Sequence, residues 1–342
     1  MKLKKILASL ITFLMILQNL STIVFAVETD MTNKNEAEIS ETQTNQKDTK
    51  VSNYTEKEET KEKNEEKEES EEKVKIDFKD ANFEKYMQDH FDFDEDGIIT
   101  DSDMQKIENF EIYDTYNIKY FNGIEKAINI KKVSIYNFNN INLTAIFELP
   151  NVESLELHGS DYNISGIEKL TKLETLELYQ NSSNSYIGGL NSIKELNLKR
   201  FSVNMYDNAF DLNLLSNMTS LQDLSIEGKM SNQQVLNNLQ QIISLSITNA
   251  NIIEIGCFTN LTNLQRLNLR KNKITNISEL ASLMNLKYLN IQNNPININS
   301  EENKKVYDMI IQNGGQVEVD EYDDSEIIEI PDEALKESLI KG

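Results

Sequence analysis

The leucines and isoleucines of residues 264–296 fall on a fixed grid, and that grid restricts the chain to one kind of architecture. Leu264, Leu267, Leu269, Ile274, Ile277, Leu280 and Leu283 are followed by Leu286, Leu289, Ile291 and Ile296, so the pattern restarts after 22 residues. The triplet Leu267-Asn268-Leu269 alternates as a strand does, two side chains inward and one outward. Beyond it the apolar spacing widens to three, which predicts a 3₁₀-like return instead of a second strand. One such unit cannot bury its own leucines, so neighbours must stack. Stacking predicts a curved solenoid with a parallel sheet on its concave side.

The register runs backwards through Ile242, Leu245 and Ile247, then Leu221, Leu224 and Ile226, then Ile193, Leu196 and Leu198. Leu173, Leu176 and Leu178, Val152, Leu155 and Leu157, and Ile130, Val133 and Ile135 continue it to a degenerate first unit at Phe110 and Ile112. The step of 28 from Ile193 to Leu221 predicts an insertion over residues 201–215. About nine coils result, well above the roughly three a stable stack needs.

The L-x-x-L-x-L-x-x-N-x-I-x-x-I runs at residues 264–277 and 286–296 resemble the leucine-rich repeats of the bacterial internalin type, over roughly residues 75–320. That resemblance implies an α/β leucine-rich repeat horseshoe with helical caps, and a binding module without catalytic residues. The asparagine of the pattern stands at Asn181, Asn272 and Asn294, where an amide can both donate to and accept from the backbone. Phe138, Ser160, Phe201, Lys229 and Ala250 occupy the equivalent places in other units.

A formal charge of −23 and a pI near 4.6 exclude nucleic acid as a partner, since phosphates require a basic footprint. The same charge disfavours contact with anionic membranes. Lys2, Lys4 and Lys5, the apolar run of residues 6–17 and the small-residue site Val24-Phe25-Ala26 read as a signal peptide, cleaved after Ala26. The expectation is therefore a secreted or wall-associated bacterial protein, with no membrane insertion once the leader is removed. Richness in Asn, Lys and Ile is compatible with an AT-rich genome. Cys257 is the only cysteine, so no internal disulfide forms and the coil turn is its expected place. Residues 27–73 are Glu/Lys-rich and nearly free of large apolar side chains, the composition of a disordered acidic spacer, with a solvated helix over residues 57–73 as the alternative.

Order is expected to return in an N-terminal cap, residues 74–109, where Asp80 can cap a helix carrying Phe83, Met87 and Phe91 on one face. His90 reads as a surface residue of that helix. Directly after it, residues 92–103, DFDEDGIITDSD, fit a twelve-residue calcium loop. Asp92, Asp94 and Asp96 take the first, third and fifth positions, Ile98 offers its carbonyl at the seventh, and Thr100 and Asp103 fall at the ninth and twelfth. Three crowded aspartates would repel without a cation, so a structural Ca²⁺ is expected. Asp103 replaces the longer Glu of an EF-hand. The competing reading makes Thr100 and Asp103 a capping box for the helix that follows.

On the strands of residues 110–298, the grid sends two rows outward. One reads Ser134, Glu156, Glu177, Asn197, Ser225, Ser246, Asn268 and Asn290; the next reads Tyr136, His158, Tyr179, Lys199, Glu227, Thr248, Arg270 and Gln292. Tyr136, His158 and Tyr179 in file are the expected anchors for a protein ligand, a host surface protein being the candidate class. Lys199, Arg266 and Arg270 stand out in an acidic chain and suit an acidic partner group. A monomer is expected. No nucleophile motif or phosphate loop appears.

Ser300 can cap a helix ending at Gly314, and Val317 and Val319 can add an edge strand, giving a C-terminal cap over residues 299–321. Residues 329–340 echo residues 76–87, Asp332 and Leu335 matching Asp80 and Phe83. The tail from 322 is therefore expected to begin a second cap, which keeps open an alternative function: the targeting domain of a larger, truncated secreted enzyme.

Overall fold

The computed structural model describes residues 74–320, apart from residues 114, 116 and 207. The expected leader, acidic spacer and second cap lie outside the described residues.

Ten strands form one sheet: β1 (Asn109–Ile112), β2 (Lys132–Asn139), β3 (Ser154–Ser160), β4 (Thr175–Gln180), β5 (Arg200–Asn204), β6 (Asp223–Glu227), β7 (Ser244–Thr248), β8 (Arg266–Asn268), β9 (Tyr288–Asn290) and β10 (Gln316–Glu318). They stand in chain order and every neighbouring pair is parallel. Between strands the chain returns through 3₁₀ turns such as Ile124–Lys126, Ile146–Glu148 and Ser278–Ser282. This is the solenoid that the 22-residue grid predicts. Its core is a stack of paired inward side chains, among them Val133 and Ile135, Leu155 and Leu157, and Leu267 and Leu269, all fully buried.

One coil departs from the predicted register. Leu196 and Leu198 do not occupy the strand; Phe201 and Val203 do, with Leu176 paired to Phe201 and Leu178 to Val203. Residues 201–215 are therefore a strand and its return, not an insertion. The extra length is shared by two coils, whose inward residues step from Leu176 to Phe201 to Leu224. Both pairs of residues are apolar and two apart, so spacing alone could not choose between them. Leu196 and Leu198 are buried too, ahead of the strand, but it is Phe201, 5.4 Å from Phe210, and Val203 that pair with Leu176 and Leu178 on one side and Leu224 and Ile226 on the other.

Asparagine has three backbone duties in this stack. Asn272 accepts from the N–H groups of Ala250 and Ile252 and donates to the carbonyls of Ile247 and Leu269. One coil later Asn294 accepts from the N–H of Ile274 and donates to the carbonyls of Leu269 and Ile291. Asn181 does not: it is exposed and makes one 3.4 Å bond to the His158 carbonyl, because the buried place goes to Gln180. A second ladder runs along the opposite turn, where Asn151, Asn263 and Asn285 donate to the carbonyls of Ile128, Gln240 and Thr262 on the preceding coil. Asn137, Asn140, Asn249 and Asn293 take the left-handed corners, a conformation asparagine tolerates better than most residues. Asn richness is thus a requirement of the turns.

Helix α1 (Ala81–Phe91) closes the N-terminal end. Phe83 packs edge-on against Phe78, Phe110 and Phe121 with centroids 5.4, 6.1 and 5.2 Å away. Asp80 caps the helix through Asn82 and Phe83, and its other oxygen accepts from the N–H groups of Lys119 and Tyr120, tying cap to first coil. Burial alone would raise the Asp80 pKa, but these four donors outweigh it and hold the carboxyl below its ordinary range. A short helix α2 (Asp101–Met104) follows, and α3 (Glu301–Gln312), capped by Ser300, covers the far end with Val306 and Ile310.

Candidate functional site: the concave face

Each strand presents three outward positions, of which the sequence grid described two. The first row runs Lys132, Ser154, Thr175, Arg200, Asp223, Ser244, Arg266 and Tyr288. The middle row, after the shift of register, reads Ser134, Glu156, Glu177, Ser202, Ser225, Ser246, Asn268 and Asn290. Ser202 and Asn204 stand where the grid put Asn197 and Lys199. Lys199 is not on the face: it precedes β5, its ammonium pairs with Glu174 at 2.6 Å, and its carbonyl accepts from Gln222 and Asp223.

The aromatic file is a continuous stack. Tyr136 and His158 have ring centroids 4.8 Å apart, and His158 and Tyr179 lie 4.2 Å apart at 15°. Tyr113, one coil earlier, extends it with a parallel ring 4.8 Å from Tyr136. Tyr113 belongs to the degenerate first unit, whose pattern does not place it on the face, although it stands 23 residues before Tyr136. Parallel in-register strands cause the stacking, since equivalent side chains recur at the strand spacing of about 4.8 Å.

Carboxylates from the middle row hold the rings. The Tyr136 hydroxyl donates to Glu156 at 2.8 Å, His158 Nε2 lies 2.8 Å from the other Glu156 oxygen, and Ser134 donates at 3.3 Å. Tyr179 donates to Glu177 at 3.1 Å and shares a 2.9 Å bond with Ser202. Burial alone would raise the Glu156 pKa, but the bonds from His158 and Tyr136 bring it below the ordinary value. Glu177 is raised, first by burial and then by the charge of Glu156 directly opposite. Burial and the neighbouring carboxylates also keep Tyr136 and Tyr179 un-ionised, and Tyr113, bonded to Glu111, is pushed up to about 12.

At the other end, Arg266 lies over the Tyr288 ring at 4.9 Å, and the exposed Arg270 guanidinium makes no ion pair or hydrogen bond among the described residues. Burial pushes the Cys257 thiol up to about 11, so it does not furnish a thiolate.

In the acidic loop of the cap, carboxylate oxygens of Asp92, Asp94 and Asp96 come within 4.8 Å of one another. Asp92 Oδ1 is buried without a hydrogen-bond partner, while Oδ2 accepts from Gly97. These three fit a hard cation. Ile98 donates its N–H to Asp96. Asp103 is committed elsewhere: it is 1 % exposed, accepts from both Thr100 N–H and Oγ1, and lies 3.4 Å from Lys106. The capping box therefore forms, and Thr100 and Asp103 are held in it.

Residues 262–302 match the family model of leucine-rich repeats, in two copies, and the chain is a leucine-rich repeat solenoid. No curated protein matches the sequence. Among solved structures, the chain is similar to an internalin (inlF) of Listeria monocytogenes, 23 % identical with a TM-score of 0.48 over 64 % of this chain and 71 % of that one. An internalin C2 (inlC2) of the same organism gives 22 % identity and a TM-score of 0.41 over 70 % of this chain and 92 % of that chain. A plant peptide hormone receptor, RGFR1, in complex with RGF2 gives 19 % identity and a TM-score of 0.40, covering 56 % and 31 % of the two chains. The ten-stranded parallel sheet and the repeat match define the fold. Among the described residues no helix is long and apolar enough to cross a membrane.

Proposed function

We propose that this protein is a secreted or surface-displayed recognition module that binds a protein ligand on its concave face and performs no chemistry on it. The observation that carries this reading is the Tyr136–His158–Tyr179 stack. Its rings are held by Glu156 and Glu177 before any partner arrives, so little side-chain entropy remains to be lost on binding. Aromatic anchors pre-set on a curved sheet are what a leucine-rich repeat surface offers a partner. The leader-like N-terminus supports export. The test is selection from a displayed random peptide library on the full chain and on a Tyr136→Ser/Tyr179→Ser variant. Peptides that bind the parent and fail on the variant are expected; peptides held equally by both would overturn the assignment of the face.

A structural Ca²⁺ in the cap is part of the proposal, supported by the three converging aspartates and the unpartnered Asp92 oxygen. Asp92, Asp94 and Asp96 would hold it. The ion would stiffen the turn between α1 and α2 and add to stability by mass action. Calorimetric titration of the parent should show saturable binding that Asp92→Ala/Asp96→Ala abolishes, with a calcium-dependent rise in Tm in the parent alone. Heat that does not saturate in the millimolar range would reduce the loop to a capping turn.

A further inference from the structure

The concave face carries opposite charges at two places with a floor of small side chains between them. At one place Glu156 and Glu177 stand side by side in register, and no Lys or Arg lies within ion-pair distance of either among the described residues. At the other, Arg266 opens β8 and Arg270 lies two residues beyond its last residue, Asn268, and both are exposed. Between them Ser202, Ser225 and Ser246 occupy the middle row of β5, β6 and β7. The long side chains bordering that floor are already matched to one another, Arg200 with Asp223 at 3.4 Å and Asn204 with Glu227 at 3.0 Å. Only the Arg200–Asp223 pair cancels charge there; Glu227 keeps its own beside the floor, so the face is acidic from Glu156 to Glu227 and turns basic at Arg266 and Arg270.

From these observations we infer that the ligand is an extended peptide segment of the partner, lying across the strands along the serine floor, with a basic residue at Glu156 and Glu177 and an acidic one at Arg266 and Arg270. Hydroxymethyl side chains let a backbone approach closely and offer it hydrogen bonds. Four strand spacings of about 4.8 Å separate Glu177 from the Arg-bearing strand, roughly 19 Å, which an extended chain at about 3.4 Å per residue spans in about six residues. Like charges directly opposite on neighbouring strands are destabilising, so a cation that enters between Glu156 and Glu177 relieves a cost the free protein bears. A guanidinium with no intramolecular ion pair, such as that of Arg270, matches a carboxylate in geometry and charge.

This inference rests on the recognition reading above and fails separately from it. Peptides of about twelve residues selected on the full chain are sequenced, and their binding is measured by fluorescence anisotropy to the parent, to Arg266→Glu/Arg270→Glu and to Tyr136→Ser/Tyr179→Ser. The expected result is a Lys or Arg about six residues from an Asp or Glu, with at least a tenfold loss on the arginine variant. Replacing the peptide's own acidic residue by its amide should give a similar loss, a readout that holds even if the arginine variant misfolds. Peptides that depend on Tyr136 and Tyr179 yet carry no such acidic residue, or bind the arginine variant undiminished, overturn the inference and leave the recognition reading standing. Failure to select any peptide dependent on the tyrosines removes both.

Discussion

At the residue scale, single polar side chains hold together parts of the backbone that the repeat pattern leaves open. Asp80 collects four N–H donors from two elements, so Asp80→Asn should cost about 2 kcal/mol in chemical denaturation at neutral pH, the upper range for a helix cap. Its folded pKa lies below the unfolded one. The stabilisation is therefore complete above the unfolded carboxylate range and is lost as pH falls through the folded value. The difference between parent and variant should shrink on acidification to about pH 2, and a difference that stays constant would show that the charge is not what matters. Glu177 has the opposite sign. Its pKa is raised, so it favours folding least once ionised, and Glu177→Gln should leave the fold unharmed or stabilise it by up to about 1 kcal/mol at neutral pH. A loss above that would mean that the Tyr179 bond outweighs the repulsion from Glu156.

At the scale of the element, the coil is defined by how its strand turns away. Asn272 satisfies four backbone groups inside the stack, and Asn272→Ala should cost about 3 kcal/mol by leaving buried donors unmet. Asn181→Ala should change stability by less than about 0.5 kcal/mol, because that side chain is exposed and its bond is long. Thermal unfolding of the two variants side by side checks both. The sequence motif is the same at the two positions. They differ in the previous coils, where Phe138 lies against Gly159 so closely that a Cβ there would sit 2.5 Å from its ring, and Gln180 follows in the same layer. Early strands run on past the point where later ones turn, which leaves Asn181 outside.

For the whole molecule, a solenoid couples each coil to its neighbours, and its ends decide whether the stack is sealed. Phe83 is the centre of the N-terminal seal, fully buried among three other phenylalanine rings. Phe83→Ala should cost about 4 kcal/mol. It should also speed hydrogen exchange in β1 and β2 well before β8 and β9, since a stack unfolds from the end it loses. Uniform acceleration along the sheet would point to one cooperative unit instead. On the face itself, Lys199→Ala should leave peptide binding unchanged, because its ammonium sits with Glu174 at the strand entrance.

What the sequence determined was whatever depends on period alone: the stacked coils, the inward pairs, the helical caps and the in-file placement of Tyr136, His158 and Tyr179. A repeat of 22 with a Leu-x-Leu core admits one way of burying itself, so these follow from local pattern. Only the tertiary structure decided the frame of the irregular coil, because Leu196/Leu198 and Phe201/Val203 are equivalent as patterns and only the packing of neighbouring coils tells them apart. That choice removed Lys199 from the face and put Ser202 on its floor. It likewise decided that Asp103 closes a capping box while Asp92, Asp94 and Asp96 converge, since spacing along a chain counts oxygens but does not say which way they turn.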